Sequence, residues 1–543
     1  MTGIFFKKQE SVLSAAFVIS VTYLVAYFLG FIKQRVLIAT FGVSLEGDLP
    51  TSLLGTFYLA DRIPSLVFNV LVVGSISSAF IPVFTRILHA KDQDKAFEMA
   101  SEVLNITLIA FAILSAVVFI FTGTLSRTVT LFSPDADYPL LISLIRIMML
   151  SQFVLIVSSY LTSTLQSLKR FIIPALAPVF YNLGVIIITI VLSPRIGIYA
   201  PAYGMVFGAF LHLGIQIPAC RAVGFRYFAK IKNFSQGAKE VFLLAMPRTF
   251  GMIADQISLI IDTSLAFFIA PPYTAILALA ASLQRLPVSV FGASFAQALL
   301  PRFSHLVSQQ KDKFSDEIKE AIIKSLFFSM PSSVVILVLR IPLVRIVYGA
   351  SRFSWDATIA TSYTLAFFSI SIFAQTLVFI LARAFYALED TKTPLKASVI
   401  SLVTGIILSL TFVFGFKFGV WSLGLSYSIS VIVNLVFLVF FLLKKKILDK
   451  VDLVFADRAA KIFWASFFTG VCLYIPLKLF DQYLFDTSRT IYLLALTAIV
   501  GVIGVGSYIK LCSLFKVHEV VMVREVSAIV IYKIKKLTIG FRV

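Results

Sequence analysis

The sequence is poor in charge and poorer still in acid. Charged residues make up 14% of its 543 positions, and 27 Asp and Glu stand against 47 Lys and Arg, for a formal net charge of +20. A soluble domain carries about 25% charged and roughly 45–50% apolar residues. Here 59% of the chain is hydrophobic, more than globular cores hide. The three cysteines, Cys220, Cys472 and Cys512, are too few and too far apart for a disulfide framework or a metal spacing, and the four histidines stand singly. No Gly-x-x-x-x-Gly-Lys-[Ser/Thr] loop, no Ser/His/Asp set and no paired catalytic carboxylates occur. A built-in ATPase, a hydrolase and a metal centre are therefore not expected, and neither is a bound cofactor.

What the chain has instead is long apolar runs, with 54 Phe among them. They do not alternate with period two, which argues against a membrane β-barrel. A helix needs about 20 apolar residues to cross the hydrocarbon. On that measure about fourteen spans are expected, near 10–38, 51–84, 95–122, 137–166, 172–193, 198–218, 236–269, 274–307, 316–347, 357–387, 394–415, 420–443, 459–479 and 487–512. The expected fold class is an all-α polytopic membrane protein. Pro64, Pro82, Pro247 and Pro287 fall inside spans and predict kinks. The first helix lacks a small-residue cleavage site and reads as a retained span.

The basic residues fall on alternate loops. Lys7 and Lys8, the loops after even-numbered spans (Arg86 and Lys91; Lys169 and Arg170; Arg221 to Lys239; Arg302 to Lys324; Lys392 and Lys396; Lys444 to Lys461) and the segment after Lys510 hold most of them. The opposite loops hold only Arg127, Arg195, Arg345, Arg352, Lys417, Lys478 and Arg489. That bias predicts both termini in the cytoplasm. The charge is then explained by topology, and no nucleic-acid partner is expected.

A few charges remain within the spans, and a charge facing lipid at mid-membrane costs about 2.5–3.5 kcal/mol on insertion scales. Arg146, Arg340 and Arg383 lie where a long side chain reaches a span end. Lys33, Arg35, Arg62, Arg248 and Arg285 do not, and they are the candidate binders of an anionic ligand such as a phosphate. The acidic company is Asp61 beside Arg62, with Asp255 and Asp262 in the seventh span. Arg248, Asp255 and Asp262 are seven apart and share one helix face. The two acids are candidates for ion coupling, or for ion pairs between helices.

Two stretches resemble the MurJ/MviN family of lipid II flippases. One is Arg383-Ala384-Phe385-Tyr386-Ala387-Leu388-Glu389-Asp390-Thr391-Lys392-Thr393-Pro394, and the other runs from Lys169 to Pro178 and on to Asn182. Ala79 to Pro82, Gln256 to Asp262, Leu299 to Pro301 and Tyr348 to Phe353 support them. The resemblance implies two six-helix lobes around a central cationic cavity, drawn at 1–218 and 219–443, a C-terminal helix pair at 444–512 that forms a groove for an undecaprenyl tail, and a basic cytoplasmic tail at 513–543. It implies alternating access driven by membrane potential or an ion gradient, in a bacterial cytoplasmic membrane. The partners it implies are lipid II, membrane lipids and other cell-wall synthesis proteins. Where the family's first helix carries Ser-Arg-x-Leu-Gly-Phe-x-Arg-Asp, this chain has Tyr27, Lys33 and Gln34 for the two Arg and the Asp, and Phe68 and Ser282 fall on two further Arg positions.

The expected function is flipping of lipid II, with the diphosphate held by Lys33, Arg35, Arg62, Arg248 and Arg285. Export of another lipid-linked glycan or of a small molecule is the alternative within the same superfamily. A non-transporting membrane scaffold for wall synthesis is the alternative from another class. The tail invites a separate expectation: its valines and isoleucines, mixed with Lys533, Lys535 and Lys536, predict a basic segment lying on anionic headgroups.

Overall fold

The computed structural model describes residues 12–45, 52–73, 79–90, 92–131, 133–134, 136–229, 235–309, 313–448, 453–487 and 489–521. In chain order the helices are α1 (Val12–Phe41), α2 (Ser52–Ala60), α3 (Arg62–Phe68), α4 (Ile81–His89), α5 (Gln93–Val129), α6 (Tyr138–Ser167), α7 (Ile172–Ile196), α8 (Tyr199–Gly214), α9 (Gln216–Ala222) and α10 (Gln236–Ile269). They continue with α11 (Pro271–Val288), α12 (Ser294–Gln309), α13 (Phe314–Val338), α14 (Arg340–Tyr348), α15 (Trp355–Ser369), α16 (Ile372–Ala387), α17 (Lys392–Leu410), α18 (Trp421–Lys444), α19 (Leu453–Tyr483) and α20 (Thr490–Leu514). Among the described residues the β-structure is one bridge, between Val43 and Phe353.

Each expected span coincides with one helix or a run of them, and the all-α membrane class stands. Among the described residues eleven helices are long and apolar enough to cross a membrane, and α15 with α16, bent by 42°, makes a twelfth when read as one span.

Several spans expected as single helices are broken, for legible reasons. The 51–84 stretch breaks at Asp61, and the 316–347 stretch breaks at Leu339. Both breaks precede the same tripeptide, Arg62-Ile63-Pro64 and Arg340-Ile341-Pro342. Proline has no N–H to give and its ring collides with the carbonyl four residues back. The helix therefore stops and restarts, with Asp61 and Leu339 as the junctions. Short π-helical turns stand at Asn69–Val73 in the same 51–84 stretch, at Ser289–Ala293 within the 274–307 span, directly after Pro287 and Val288, and at Thr411–Gly415 at the end of the 394–415 span.

The chain divides into two compact units. One comprises Met1–Leu279, Val347–Thr358 and Ser409–Val420, and the other Ala280–Ile346, Ile359–Leu408 and Trp421–Val543. In the first unit α7 and α8 meet backbone to backbone: a Cβ on Gly184 would stand 2.6 Å from the Cα of Gly208. Without a hydrophobic drive between helices in lipid, small residues of this kind are what let packing hold them. The second unit has a core of Phe303, Phe327, Phe385, Leu442 and Ile462, joined by Tyr508 and Cys512 of α20.

The first residues of the C-terminal tail depart from expectation. Val517 and Val520 are buried in that same core, and Glu519, 2% exposed, is ion-paired with Arg458, which also binds Glu320 of α13. A buried carboxylate needs a cation, and Arg458 holds this stretch against the helices rather than on headgroups. Lys533, Lys535 and Lys536 lie outside the described residues.

Candidate functional site

Local sequence sets the stage. Asp61 is the junction residue before α3, so it is held at a helix break, and it stands within one turn of Tyr58 on α2 and beside Arg62 on α3. Helix α1 brings Lys33 to α7, where its ammonium lies 5.7 Å from the centre of the Tyr181 ring. One residue on, the Asn182 amide donates to the Ala26 carbonyl at 3.3 Å and fixes α7 to α1.

The Asp61 carboxylate is close enough to Lys33, Tyr58 and Tyr181 to act on all three electrostatically, and Arg62 acts on Tyr58 in the same way. One carboxylate oxygen, Oδ2, accepts from the Ser65 hydroxyl at 3.2 Å. Its second oxygen, Oδ1, and the Tyr58 hydroxyl are both buried and have no hydrogen-bond partner among the described residues. The first unit thus gathers two cations, one carboxylate, two tyrosines and the Ser65 hydroxyl, all on half-buried residues. Arg35 is half-buried two residues beyond Lys33 on α1.

The other expected site residues are placed differently. Arg285 is exposed on α11, in the second unit. The side chain of Arg248 lies outside the described residues. Of the two acids on α10, Asp255 is exposed, whereas Asp262 is half-buried and accepts a hydrogen bond from the Ser409 hydroxyl of α17 at 2.8 Å. The spacing of seven put both acids on one face, but that face is not uniformly covered. Arg146, Arg340 and Arg383 lie over the rings of Phe119, Tyr363 and Tyr386, at 5.8, 5.8 and 5.5 Å from the ring centres.

Sequence reasoning missed several polar groups. Tyr58 and Tyr181 carry no motif that marks them, and Ser409 is one serine among many in apolar runs. In the second unit Gln284, next to Arg285 and 2% exposed, donates to Gln375 at 2.7 Å, and Gln375 donates to the Tyr427 hydroxyl at 2.5 Å. A buried amide in a span that pairs across three helices is visible only once the helices are packed.

Against this geometry stand the similarities to known proteins. The family model described as lipid II flippase MurJ matches residues 37–494. A probable lipid II flippase MurJ of Buchnera aphidicola is 26% identical over 82% of this chain and 85% of its own length. A counterpart in Borreliella burgdorferi is 25% identical over 87% and 91%. Among solved structures, a lipid II flippase MurJ in an inward closed conformation superposes with a TM-score of 0.75 at 24% identity, covering 92% of this chain and 98% of the other. An inward-facing multidrug transporter of the MATE family superposes at 0.65 with 14% identity, covering 80% and 98%, a likeness of fold alone. With 458 consecutive residues matched by its model, the chain belongs to the lipid II flippase MurJ family.

Proposed function

We propose that this protein flips lipid II, the undecaprenyl-diphosphate-linked peptidoglycan precursor, from the inner to the outer leaflet of a bacterial cytoplasmic membrane by alternating access. The observation that carries the reading is the half-buried grouping of Lys33 and Arg62 about Asp61, Tyr58 and Tyr181, with Asp61 Oδ1 and the Tyr58 hydroxyl buried within it. A diphosphate cannot cross hydrocarbon bare, because an unpaired charge in that medium is prohibitively costly. Cations and hydroxyls held inside a helical unit replace its water. Lys33, Arg35 and Arg62, together with Arg248 and Arg285, are the proposed diphosphate ligands. Arg offers a fork of donors and Lys a point charge.

Asp262, hydrogen-bonded to Ser409, is the proposed ion-coupling acid, with membrane potential or an ion gradient as the driving force and Asp255 as its companion on α10. The protein acts as a transporter and not as an enzyme, with both termini in the cytoplasm, and works beside other cell-wall synthesis proteins. The test is transport of labelled lipid II in liposomes that contain only this protein. Transfer of label to the opposite leaflet at a rate well above that of empty liposomes is expected. Equal rates with and without protein overturn the reading.

A further inference from the structure

Among the cations that would grip a diphosphate stands one carboxylate, and it is poorly satisfied. Asp61 has Oδ2 bonded to Ser65 while Oδ1, buried, has no hydrogen-bond partner among the described residues. The neighbouring Tyr58 hydroxyl is in the same condition. The carboxylate stands near the Lys33 ammonium without an ion-pair contact, the ammonium lying instead over the Tyr181 ring. A carboxylate that served only to neutralise Lys33 would close on it, since a buried ion pair repays its desolvation only with good geometry and saturated hydrogen bonds. Here it stands at the junction of α2 and α3, with Oδ2 engaged by the Ser65 hydroxyl one turn on.

From this placement we infer that Asp61 is the counter-charge that sets how tightly the cluster holds a diphosphate, and so lets the headgroup leave. The inference rests on the reading of Lys33 and Arg62 as diphosphate ligands. A transporter site must bind well enough to load and weakly enough to unload. Lys33 and Arg62 supply attraction, and the fixed carboxylate beside them opposes a dianion whenever one is bound. It also keeps the two cations partly compensated when the site is empty. Tight binding that is equal in ground and transition states adds nothing to turnover, so a repulsive group within an attractive site speeds release. Asp61 acts through charge at a distance and is a positioning residue.

The experiment compares wild type, Asp61→Asn and Asp61→Glu for binding of lipid II and of undecaprenyl diphosphate without sugar, and for lipid II transport, on the same preparations. Asn should bind both lipids about tenfold more tightly, the size expected when one like charge is removed from a partly screened site, while transport slows. Glu should restore wild-type affinity and rate. The gain in affinity should shrink as salt is raised. Structural damage would lower affinity and transport together, so tighter binding with slower transport separates the two causes. Should the Asn variant not be recovered folded, Asp61→Ser removes the same charge in a smaller side chain. Asn or Ser binding no more tightly than wild type overturns the inference, even if wild type transports lipid II. Wild type that binds undecaprenyl diphosphate but does not transport lipid II instead overturns the functional reading, with the Asp61 comparison still decided by the binding data. Wild type that binds neither lipid overturns both.

Discussion

At the scale of single residues, the charges in the spans have distinct fates. Arg146, Arg340 and Arg383 lie over aromatic rings, as expected of side chains that reach out of the hydrocarbon. Lys33 also lies over a ring but within reach of Asp61. If it is a diphosphate ligand, Lys33→Ala removes a charge-assisted contact worth about 1.5–3 kcal/mol. Affinity for lipid II then falls by on the order of ten- to a hundredfold, while Lys33→Arg keeps or improves it by adding a donor fork. Arg285→Ala should weaken lipid II binding likewise. Lipid II binding by each variant is the measurement, and an unchanged double Ala variant would remove both residues from the site.

Asp262 permits a sharper separation of stability from function. Asp262→Asn keeps an acceptor for the Ser409 hydroxyl, which now donates at 2.8 Å. The variant should retain thermal stability within about 1 kcal/mol and lose the dependence of transport on the ion gradient. Both are read from one preparation in liposomes with imposed gradients. Retained gradient dependence would make Asp262 a helix-packing residue.

Among the elements, helix ends repeat one device. After α6, α9, α16, α18 and α20 the chain turns through a left-handed residue, at Lys169, Gly224, Glu389, Lys446 and Lys516, with φ between 54° and 76°. At each turn the following amide reaches back five residues, as from Arg170 to Leu165 at 2.8 Å and from Asp390 to Phe385 at 3.0 Å. These are Schellman closures, which satisfy the last carbonyls of a helix. Four of the five use a residue other than glycine and accept the cost of a Cβ there.

The turn at Glu389 has an added fastening. Asp390 accepts from the Thr393 amide at 3.0 Å and from its hydroxyl at 2.6 Å, and it binds Lys445 at the end of α18. Burial pushes the Asp390 carboxyl up, but the bonds from Lys445 and Thr393 outweigh it and hold the group down at about 2. A depressed folded value means that the contribution is present above the unfolded value near 3.9 and is lost as pH falls through about 2. Asp390→Asn keeps an acceptor for the Thr393 amide but loses the ion pair with Lys445, so it should cost up to about 1 kcal/mol at neutral pH. The gap between variant and wild type in thermal unfolding should close as the pH is lowered from about 5 toward 2. A gap independent of pH would show that the carboxylate's charge has no part in the fastening.

At the scale of the whole molecule, the charges of the loops predict an orientation. A cysteine introduced between α18 and α19, at 445–452, a stretch that holds Lys445, Lys446 and Lys450 and is flanked by Lys444, Arg458 and Lys461, should react with an impermeant reagent only from the cytoplasmic side, and one introduced near Asp48 only from outside. Cys220 and Cys512 are buried and Cys472 is half-buried, so the background reaction is removed by replacing Cys472. Reversed labelling at either position would invert the topology.

Membrane class and the approximate positions of the spans were legible without any structure. Continuous apolar length is a property of the chain alone, and so are the caps that open α5, α6 and α10, where Asp92, Asp137 and Ser235 receive amides three residues on. Prolines in the spans were legible too, although Arg340-Ile341-Pro342 announced its break only beside its twin at Arg62. The membership of the site was half legible: rarity marked Lys33, Arg62, Asp61 and Asp262, because any charge in a span needs a reason. Only tertiary structure decided who meets whom. Tyr58, Tyr181, Gln284, Gln375 and Ser409 are ordinary in sequence and become partners through packing, and Val517 and Val520 are buried in the core because Arg458 receives Glu519. Hydropathy is summed along the chain, whereas hydrogen bonds and ion pairs depend on distances across it, and those distances are set by how the helices pack.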